Sequence, residues 1–341
     1  MPSPERVPPD EIRPLGTLEG LRFLYVTGKG GVGKSTVAAG VAQYLAARGR
    51  RVLLVFEHQS LNPQRLLGRN VGLSPQALGP NLFACAIEPE TAMQEYARSV
   101  LKSARLTEAL FHGKVARGFL HGIPGLSAWA FLGKAWYFAE PSLDGPALGA
   151  PRVDAVVVDG PATGDSTDML RVPSVIRDVA PRGRLRRDAD ACYEMLRDPT
   201  RTNVLVTTTL EELPVTETES LVRAIRDELA LPLGPLLVNQ VQENLLSLAD
   251  RARLLSSAQQ PTFASEAEGN RDPVSRVIAL ARRRARSEAQ ADLQRARLRA
   301  LELPLWEIPL LEPEPQGSAG LEAVAAALAM GPLGSYRPLD P

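Results

Sequence analysis

The amino-acid sequence predicts an α/β protein with a doubly wound, mainly parallel β-sheet and an inserted helical subdomain. Three observations support this fold class: short apolar runs recur along the chain, helix-forming stretches separate them, and a glycine-rich loop joins the first run to a helix. The chain has 341 residues, of which 44% are hydrophobic, and its 39 basic residues balance its 39 acidic residues. This length is sufficient for a full core, and the balanced charge argues against a non-specific binder of nucleic acid.

The apolar runs are predicted to be buried strands. Residues 21–27 form the first run, residues 35–47 continue in helix-forming Ala, Val and Leu, and residues 51–56 form a second strand, so that together they make a βαβ unit. A βαβ unit implies a parallel sheet covered by helices. Three later strands are predicted at 153–159, 203–208 and 233–238, with a helical stretch near 217–230.

Nearly a hundred residues separate the second and third predicted strands, which is too many for a simple crossover. We therefore predict a mainly helical insertion at about 90–150. Within it, residues 92–110 have a helical period and residues 119–138 hold six of the 17 aromatic residues. These aromatics could form an apolar groove for a client helix, or an ordinary core or dimer surface. Glycine and proline should interrupt any long helix there, at Gly122, Pro124, Gly125 and Gly133.

The remaining segments complete the predicted organisation. A proline-rich flexible tail is expected at 1–20, a domain at 21–330, and a short tail at 331–341. Residues 175–199 are predicted to be a mobile or helical piece. A long helix is predicted at about 273–300, and nine arginines face few acidic residues between 271 and 299. Its charge could mark a solvated or docking face, or a surface that binds DNA phosphates.

Cellular location is the next inference from composition. The only cysteines are Cys85 and Cys192, so the chain has no disulfide framework and no CxxC zinc clasp. The first residues lack the pattern of a signal peptide, and no run of 18 apolar residues occurs. These observations predict a cytoplasmic protein.

The strongest functional signal is a loop that matches GxxxxGK[ST] between the first strand and the first helix. Glycines allow its backbone N–H groups to converge on phosphate oxygens, and the helix that follows directs its positive end at the same anion. Lys34 is predicted to neutralise the β- and γ-phosphates, and the Ser35 hydroxyl to complete the coordination of Mg²⁺. The predicted loop consists of Gly28, Lys29, Gly30, Gly31, Val32, Gly33, Lys34, Ser35 and Thr36.

The predicted nucleotide is ATP. The strand that ends at Val238 is followed by Asn239, without the acidic residue of a guanine-reading NKxD motif. The Asn239 amide can present a donor and an acceptor to an adenine edge, although it could also merely cap a turn.

Lys29 resembles an additional lysine in the phosphate loops of one class of ATPases. The sequence KGGVGKST at 29–36 is similar to the deviant Walker A loop of chromosome-partitioning, septum-positioning, nitrogenase-reductase and arsenite-pump ATPases. The resemblance implies a dimer that sandwiches two nucleotides, in which each Lys29 contacts the opposite ATP.

Other segments resemble the ArsA-type anion-pump ATPases and tail-anchored-protein targeting factors. The sequence DGPATGD at 159–165 is similar to their D-T-A-P-T-G-H pattern. Further matches are the segments at 124–126 and 170–173, the sequence TETE at 216–219, an adenine segment at 238–240 and a late loop at 308–311. The resemblance implies that Asp159 holds the Mg²⁺ shell, that Pro309 lies near the nucleotide, and that Thr163 and Gly164 move with the γ-phosphate.

The second strand ends differently from the family pattern. That pattern is roughly D-P-A-H-S, and its Asp polarises the attacking water, whereas here Glu57 and His58 occupy this region. Glu57 could take the role by a one-residue shift, His58 could orient the water as a weaker base, or neither residue could have a catalytic role. Hydrolysis is accordingly expected to be slow or absent.

The resemblance therefore implies an ATP- and Mg²⁺-dependent dimeric switch, made with itself or with a paralogue, that couples to an unknown protein cargo or membrane-associated partner. Two isolated cysteines argue against an arsenite site. The alternatives are a non-hydrolysing ATP-gated assembly protein and a positioning ATPase that binds the nucleoid, although DNA binding is disfavoured.

Overall fold

The computed structural model describes residue 18 and residues 20–101, 125–140, 152–256 and 273–330. Its centre is a sheet of eight strands in the order β3-β4-β2-β5-β1-β6-β7-β8. The strands are β1 (Phe23–Gly28), β2 (Val52–Glu57), β3 (Gln76–Gly79), β4 (Leu82–Ile87), β5 (Ala155–Ala162), β6 (Thr202–Thr208), β7 (Leu233–Val241) and β8 (Leu305–Pro309).

All neighbouring strands are parallel except β3 and β4, which form an antiparallel pair at one edge. The register aligns Gly28 at the end of β1 with Ala162 of β5 and Thr207 of β6. Because the strands are parallel, their carboxyl ends lie along one edge of the sheet, where ligands bind in doubly wound folds. The predicted fold class is confirmed.

Ten helices are described around this sheet. They are α1 (Lys34–Ala47), α2 (Leu61–Leu67), α3 (Pro89–Leu101), α4 (Leu126–Ala139), α5 (Thr163–Val179), α6 (Arg184–Arg197), α7 (Glu212–Arg223), α8 (Leu248–Ser256), α9 (Pro273–Arg299) and α10 (Gly317–Met330). A π-helical turn at Ala224–Glu228 continues α7. Within the described residues, no helix has the length and apolar character needed to cross a bilayer.

The two faces of the sheet carry separate cores. On one face, α1, α2 and α10 bury aliphatic side chains such as Val41, Leu67 and Val324. On the other face, α4, α6, α7 and α9 pack against the same strands, with Leu298 from α9 included. The strands are buried on both sides, which explains why their sequences are continuous apolar runs rather than alternating patterns.

Three strands were missing from the sequence prediction. β3 is short and exposed, β4 is a six-residue apolar run whose period does not distinguish a strand from a helix, and β8 ends in Pro309, within a segment interpreted as a loop. The segment at 175–199 contains the end of α5 and all of α6, so its helical reading is correct.

The aromatic residues of the insertion form part of the core. Trp129, Phe131 and Trp136 on α4 are at most 4% exposed and pack with the residues of one sheet face. The expectation that Gly133 would interrupt this helix is wrong, because α4 continues through it. Burial of large aromatic side chains outweighs the helix penalty of one glycine, which is about 1 kcal/mol.

The arginine-rich helix α9 is attached to the body of the protein by ion pairs. Arg284 pairs with Glu288, Arg295 pairs with Glu307 of β8, and Arg297 donates to Glu219 of α7. These pairs neutralise three of its arginines within the chain itself.

Some predictions fall on residues outside the described ranges. They are the tails at 1–17 and 331–341, the part of the helical period beyond residue 101, the aromatic Phe119, and the expected interruptions at Gly122 and Pro124.

Candidate nucleotide-binding site

The glycine-rich loop lies between β1 and α1 at the carboxyl edge of the sheet. Its backbone turns through positive φ values at Gly28 (149°), Gly31 (90°) and Gly33 (86°), and α1 begins at Lys34. Such values are unfavourable for residues with a Cβ atom, so this path requires glycine. The loop therefore places the amino end of a 14-residue helix directly after a tight backbone turn.

Two glycines are also required by close neighbours. A Cβ atom on Gly28 would overlap the backbone carbonyl of Thr207 in β6, and one on Gly33 would overlap the Asn239 amide nitrogen. The buried Asn239 side chain donates from Nδ2 to the Val32 carbonyl at 2.9 Å. Asn239 thus supports the loop from β7, and its predicted role at the adenine edge stays a prediction.

Lys34, Ser35 and Asp159 form the charged part of the site. Lys34 Nζ donates to the Lys29 carbonyl at 3.3 Å, across the loop. Burial lowers the pKa of Lys34, and the Asp159 charge opposes this shift. Burial raises the pKa of Asp159 to about 6, whereas a hydrogen bond with the Ser35 side chain and the Lys34 charge act in the opposite direction.

Asp159 is the candidate metal-associated carboxylate. Its Oδ1 atom is buried and has no hydrogen-bond partner among the described residues. A buried carboxylate oxygen without a partner, beside a serine hydroxyl, suits the oxygen shell of Mg²⁺. The residues present therefore fit the metal that the sequence predicts at Ser35 and Asp159.

Lys29 takes part in an ion pair within its own chain. Its ammonium contacts Glu217 Oε1 on α7, and the Thr163 hydroxyl donates to Glu217 Oε2 at 3.1 Å. The Lys29 hydrogen bond is the main cause that lowers the pKa of Glu217. Glu217 therefore connects the glycine loop to the first residue of α5.

After Asp159, strand β5 leads directly into helix α5 without a loop, because β5 ends at Ala162 and α5 begins at Thr163. A buried hydrogen-bond network attaches it to β1: Thr27 donates to Ser166 at 2.6 Å, and Ser166 donates to the Pro161 carbonyl at 2.8 Å. The start of α5 is thereby connected to the residue directly before the glycine loop.

Glu57 and His58 lie at the end of β2, with β5 between this strand and β1. Glu57 is exposed and His58 is half-buried. The His58 backbone N–H donates to the Ile87 carbonyl at 2.9 Å, while its Nδ1 atom is buried without a hydrogen-bond partner in the described part of the chain. Their catalytic role stays a prediction.

The other predicted site residues lie along the same edge. Gly30 is exposed at the tip of the loop, Thr36 is half-buried in the first turn of α1, and Pro309 ends β8 opposite Val241.

Three residues with direct contacts to these elements are absent from the predicted site set: Glu217, Thr27 and Ser166. Glu217 belongs to the sequence TETE after the fourth predicted strand, and its position close to a carboxyl strand end was the available signal. Thr27 and Ser166 look like ordinary polar residues in the sequence, and only the fold brings them together.

Comparison with known proteins agrees with this geometry. The model of the family described as anion-transporting ATPase matches residues 21–183, from β1 to the end of α5. ATPase BagA of Mycobacterium tuberculosis is 32% identical over 229 residues, which are 65% of this chain and 66% of the relative. The chain belongs to the ArsA-related P-loop ATPase family.

More distant relatives of this ArsA-related chain carry other names. An arsenical pump-driving ATPase of Escherichia coli is 28% identical over 57% of this chain and 35% of its own length. ATPase GET3 of Rhodotorula glutinis is 28% identical over 51% of this chain and 47% of its own. The similar region therefore covers 66% of BagA and less than half of each of these two relatives.

Proposed function

We propose that this chain is an ATP- and Mg²⁺-dependent molecular switch: a dimer that closes over ATP, hydrolyses it slowly and couples closure to a protein cargo or membrane-associated partner. The single observation that carries the proposal is the glycine loop with its adjacent charged group of Lys34, Ser35 and Asp159. Membership in a family of proteins named as ATPases supports the reaction.

In this proposal the loop binds the triphosphate. Backbone N–H groups of residues 30–36 donate to phosphate oxygens, and the positive end of α1 adds a favourable field. Lys34 moves from the Lys29 carbonyl to the β- and γ-phosphate oxygens. Ser35 and Asp159 would hold Mg²⁺, which would screen the charge of the phosphates. Asn239 and Pro309 border the adenine.

Hydrolysis is an attack of water on the γ-phosphorus, which breaks the bond to the β–γ bridging oxygen and yields ADP, inorganic phosphate and a proton. Glu57 or His58 orients the water and accepts its proton. Lys34, with Lys29 of the facing subunit, stabilises the negative charge on the transferred group. Thr163 and Gly164 follow the γ-phosphate and carry the nucleotide state into α5.

Replacement of Lys34 tests the site directly. A Lys34→Ala variant should lose at least about 100-fold in the rate of phosphate release, because an ammonium that contacts the transferred group is removed. Lys134→Ala is the control, since that lysine lies on α4, outside the loop, and pairs with Glu95 on α3. Equal rates for wild type and Lys34→Ala would contradict the proposal.

A second candidate is a non-hydrolysing, ATP-gated assembly protein. It is favoured by the end of β2, where His58 stands in the position of the family's aspartate and Glu57 points into solvent. Single-turnover measurements with excess protein distinguish the two candidates. Release of one phosphate per bound ATP supports the switch, whereas stable bound ATP with unchanged nucleotide-dependent assembly supports the alternative.

The partners and the location are part of the same proposal. The dimer forms between identical chains or with a paralogue, in the cytoplasm, and neither arsenite nor DNA is its ligand. The internal pairing of Arg284, Arg295 and Arg297 supports the absence of a DNA role, because these charges are already neutralised.

A further inference from the structure

Glu217 is the only described residue whose two carboxylate oxygens connect two mobile parts of the proposed switch. Oε1 contacts the Lys29 ammonium, and Oε2 accepts the Thr163 hydroxyl hydrogen at 3.1 Å. Lys29 belongs to the nucleotide loop, while Thr163 begins the helix that directly follows the Asp159 strand. One side chain therefore joins the loop to the segment expected to respond to the γ-phosphate.

We propose that Glu217 is a positioning residue that holds Lys29 within its own subunit, and that ATP-driven movement of Thr163 releases Lys29 to the facing subunit. This inference rests on the proposed dimeric switch and adds a regulatory element to it. Glu217 then sets how readily two ATP-loaded chains associate.

The charges and exposures agree with a reversible contact. The Lys29 side chain is 24% exposed and that of Glu217 is 31% exposed, so both remain accessible to a competing partner. An ion pair at this exposure is weak, so a triphosphate with several negative charges can displace the carboxylate. A fully buried pair could not be exchanged so readily.

The neighbouring residues of α7 are held more firmly, because Arg297 donates three hydrogen bonds to them whereas Lys29 donates one to Glu217. Arg297 of α9 donates to Glu219 at 2.8 Å and to the Thr216 hydroxyl at 3.0 Å. These residues flank Glu217 on the same helix, so α7 is anchored to α9 while Glu217 extends towards the loop. Release therefore comes from movement of Thr163 rather than from movement of α7.

Glu219 also provides a matched control. It is a carboxylate on α7, its side chain is 24% exposed, and its ion pair is with Arg297. Glu217→Gln and Glu219→Gln thus make the same chemical change two residues apart, but only the first frees Lys29.

The first measurement is association of the full chain with a non-hydrolysable ATP analogue and Mg²⁺, followed by sedimentation velocity over a range of protein concentrations. Glu217→Gln should lower the dissociation constant of the dimer about fivefold, and Thr163→Val about twofold. Glu219→Gln should leave it unchanged. A dimer that is weakened or unaffected by Glu217→Gln overturns the proposal.

The second measurement uses nucleotide-free protein and does not depend on dimerisation. The acetylation rate of Lys29 by an N-hydroxysuccinimide ester, measured by peptide mass spectrometry, should rise severalfold over wild type in Glu217→Gln and remain unchanged in Glu219→Gln. An unchanged Lys29 rate in Glu217→Gln overturns the cis contact, even where association changes.

The two measurements separate this inference from the proposed function. If wild type binds the analogue but stays monomeric at every concentration, the proposed dimer has failed, while Lys29 acetylation still decides whether Glu217 holds the lysine. If acetylation rises but association does not change, the contact exists without controlling assembly, and the inference is wrong.

Discussion

The two sides of the glycine loop differ in how completely they are supported. Towards β6, β7 and α7, the loop meets the Thr207 carbonyl, the Asn239 amide and Glu217. Towards β2, Glu57 is exposed and a buried nitrogen of His58 has no described partner. The contrast indicates that the path of the proposed phosphate loop is built into the fold, whereas the residues proposed to place the attacking water are loosely defined. Binding and turnover should therefore respond to separate substitutions.

On the side of the loop towards β6, β7 and α7, substitution of Gly33 should cause the largest loss of stability. Gly33→Ala should lower the free energy of unfolding of the nucleotide-free protein by about 2 to 4 kcal/mol, because a Cβ atom is strained at this φ and overlaps Asn239. Gly31→Ala is the control, since it has a similar φ but nothing within 4 Å of its Cβ position, and should cost about 1 kcal/mol. Urea denaturation measures both values, and equal losses would show that the Asn239 contact is unimportant.

The buried charge of Asp159 gives the next largest effect. The folded protein holds this carboxyl at a pKa of about 6, above its ordinary value of 3.8, so it binds a proton that the unfolded chain does not bind between these values. Its ionisation consequently costs stability as pH rises through about 6. Asp159→Asn should stabilise the nucleotide-free protein at pH 8 by up to about 3 kcal/mol, with the gain lost towards pH 4.

Urea denaturation of both proteins from pH 4 to pH 8, without nucleotide or metal, measures this difference. A stability difference that is constant across the range would contradict the burial of an ionised Asp159 carboxylate.

On the side towards β2, substitutions should change the rate of ATP hydrolysis without changing the affinity for ATP. His58→Asp, which restores the family's residue type, should raise the rate of phosphate release about tenfold with ATP affinity unchanged, because an ionised carboxylate accepts hydrogen bonds through both of its oxygens and orients the attacking water. Glu57→Gln is the companion variant. A large loss in Glu57→Gln with no gain in His58→Asp would assign the water to Glu57, and a loss in His58→Asp would assign it to His58.

Substitution of Asn239 should have the smallest effect. Asn239→Ala removes the 2.9 Å hydrogen bond to the Val32 carbonyl and should cost about 1 kcal/mol of stability. ATP affinity should fall severalfold, because the loop loses its support from β7. If affinity for ATP falls while affinity for GTP rises, Asn239 also reads the base. If neither stability nor ATP affinity changes, the bond to Val32 is dispensable.

Local patterns in the sequence were sufficient to predict the loop and the strands around it. GKGGVGKST combines a backbone requirement and a charge requirement within nine residues, and the five predicted strands are apolar on both faces. β3 and β8 were missed because one is exposed and the other ends in proline, so neither has the composition of a central strand.

Long-range contacts explain the rest of what the sequence did not predict. Lys29 and Glu217 are separated by 188 residues, and Thr27 and Ser166 by 139. Their pairing depends on the strand order, in which β5 and β6 lie on either side of β1. Similarly, the helix that continues through Gly133 depends on the sheet face that buries its aromatic residues, which propensity alone does not represent.

Calorimetric titration with ATP is the most direct measurement of the central claim, that the loop at 28–36 binds a triphosphate with Mg²⁺ beside Ser35 and Asp159. The account predicts one ATP per chain in the presence of Mg²⁺, weaker binding when the metal is chelated, and a loss of at least about 100-fold in affinity for Lys34→Ala. Binding of ATP that is equally tight in wild type and Lys34→Ala, or no binding at all by folded wild-type protein, would contradict it.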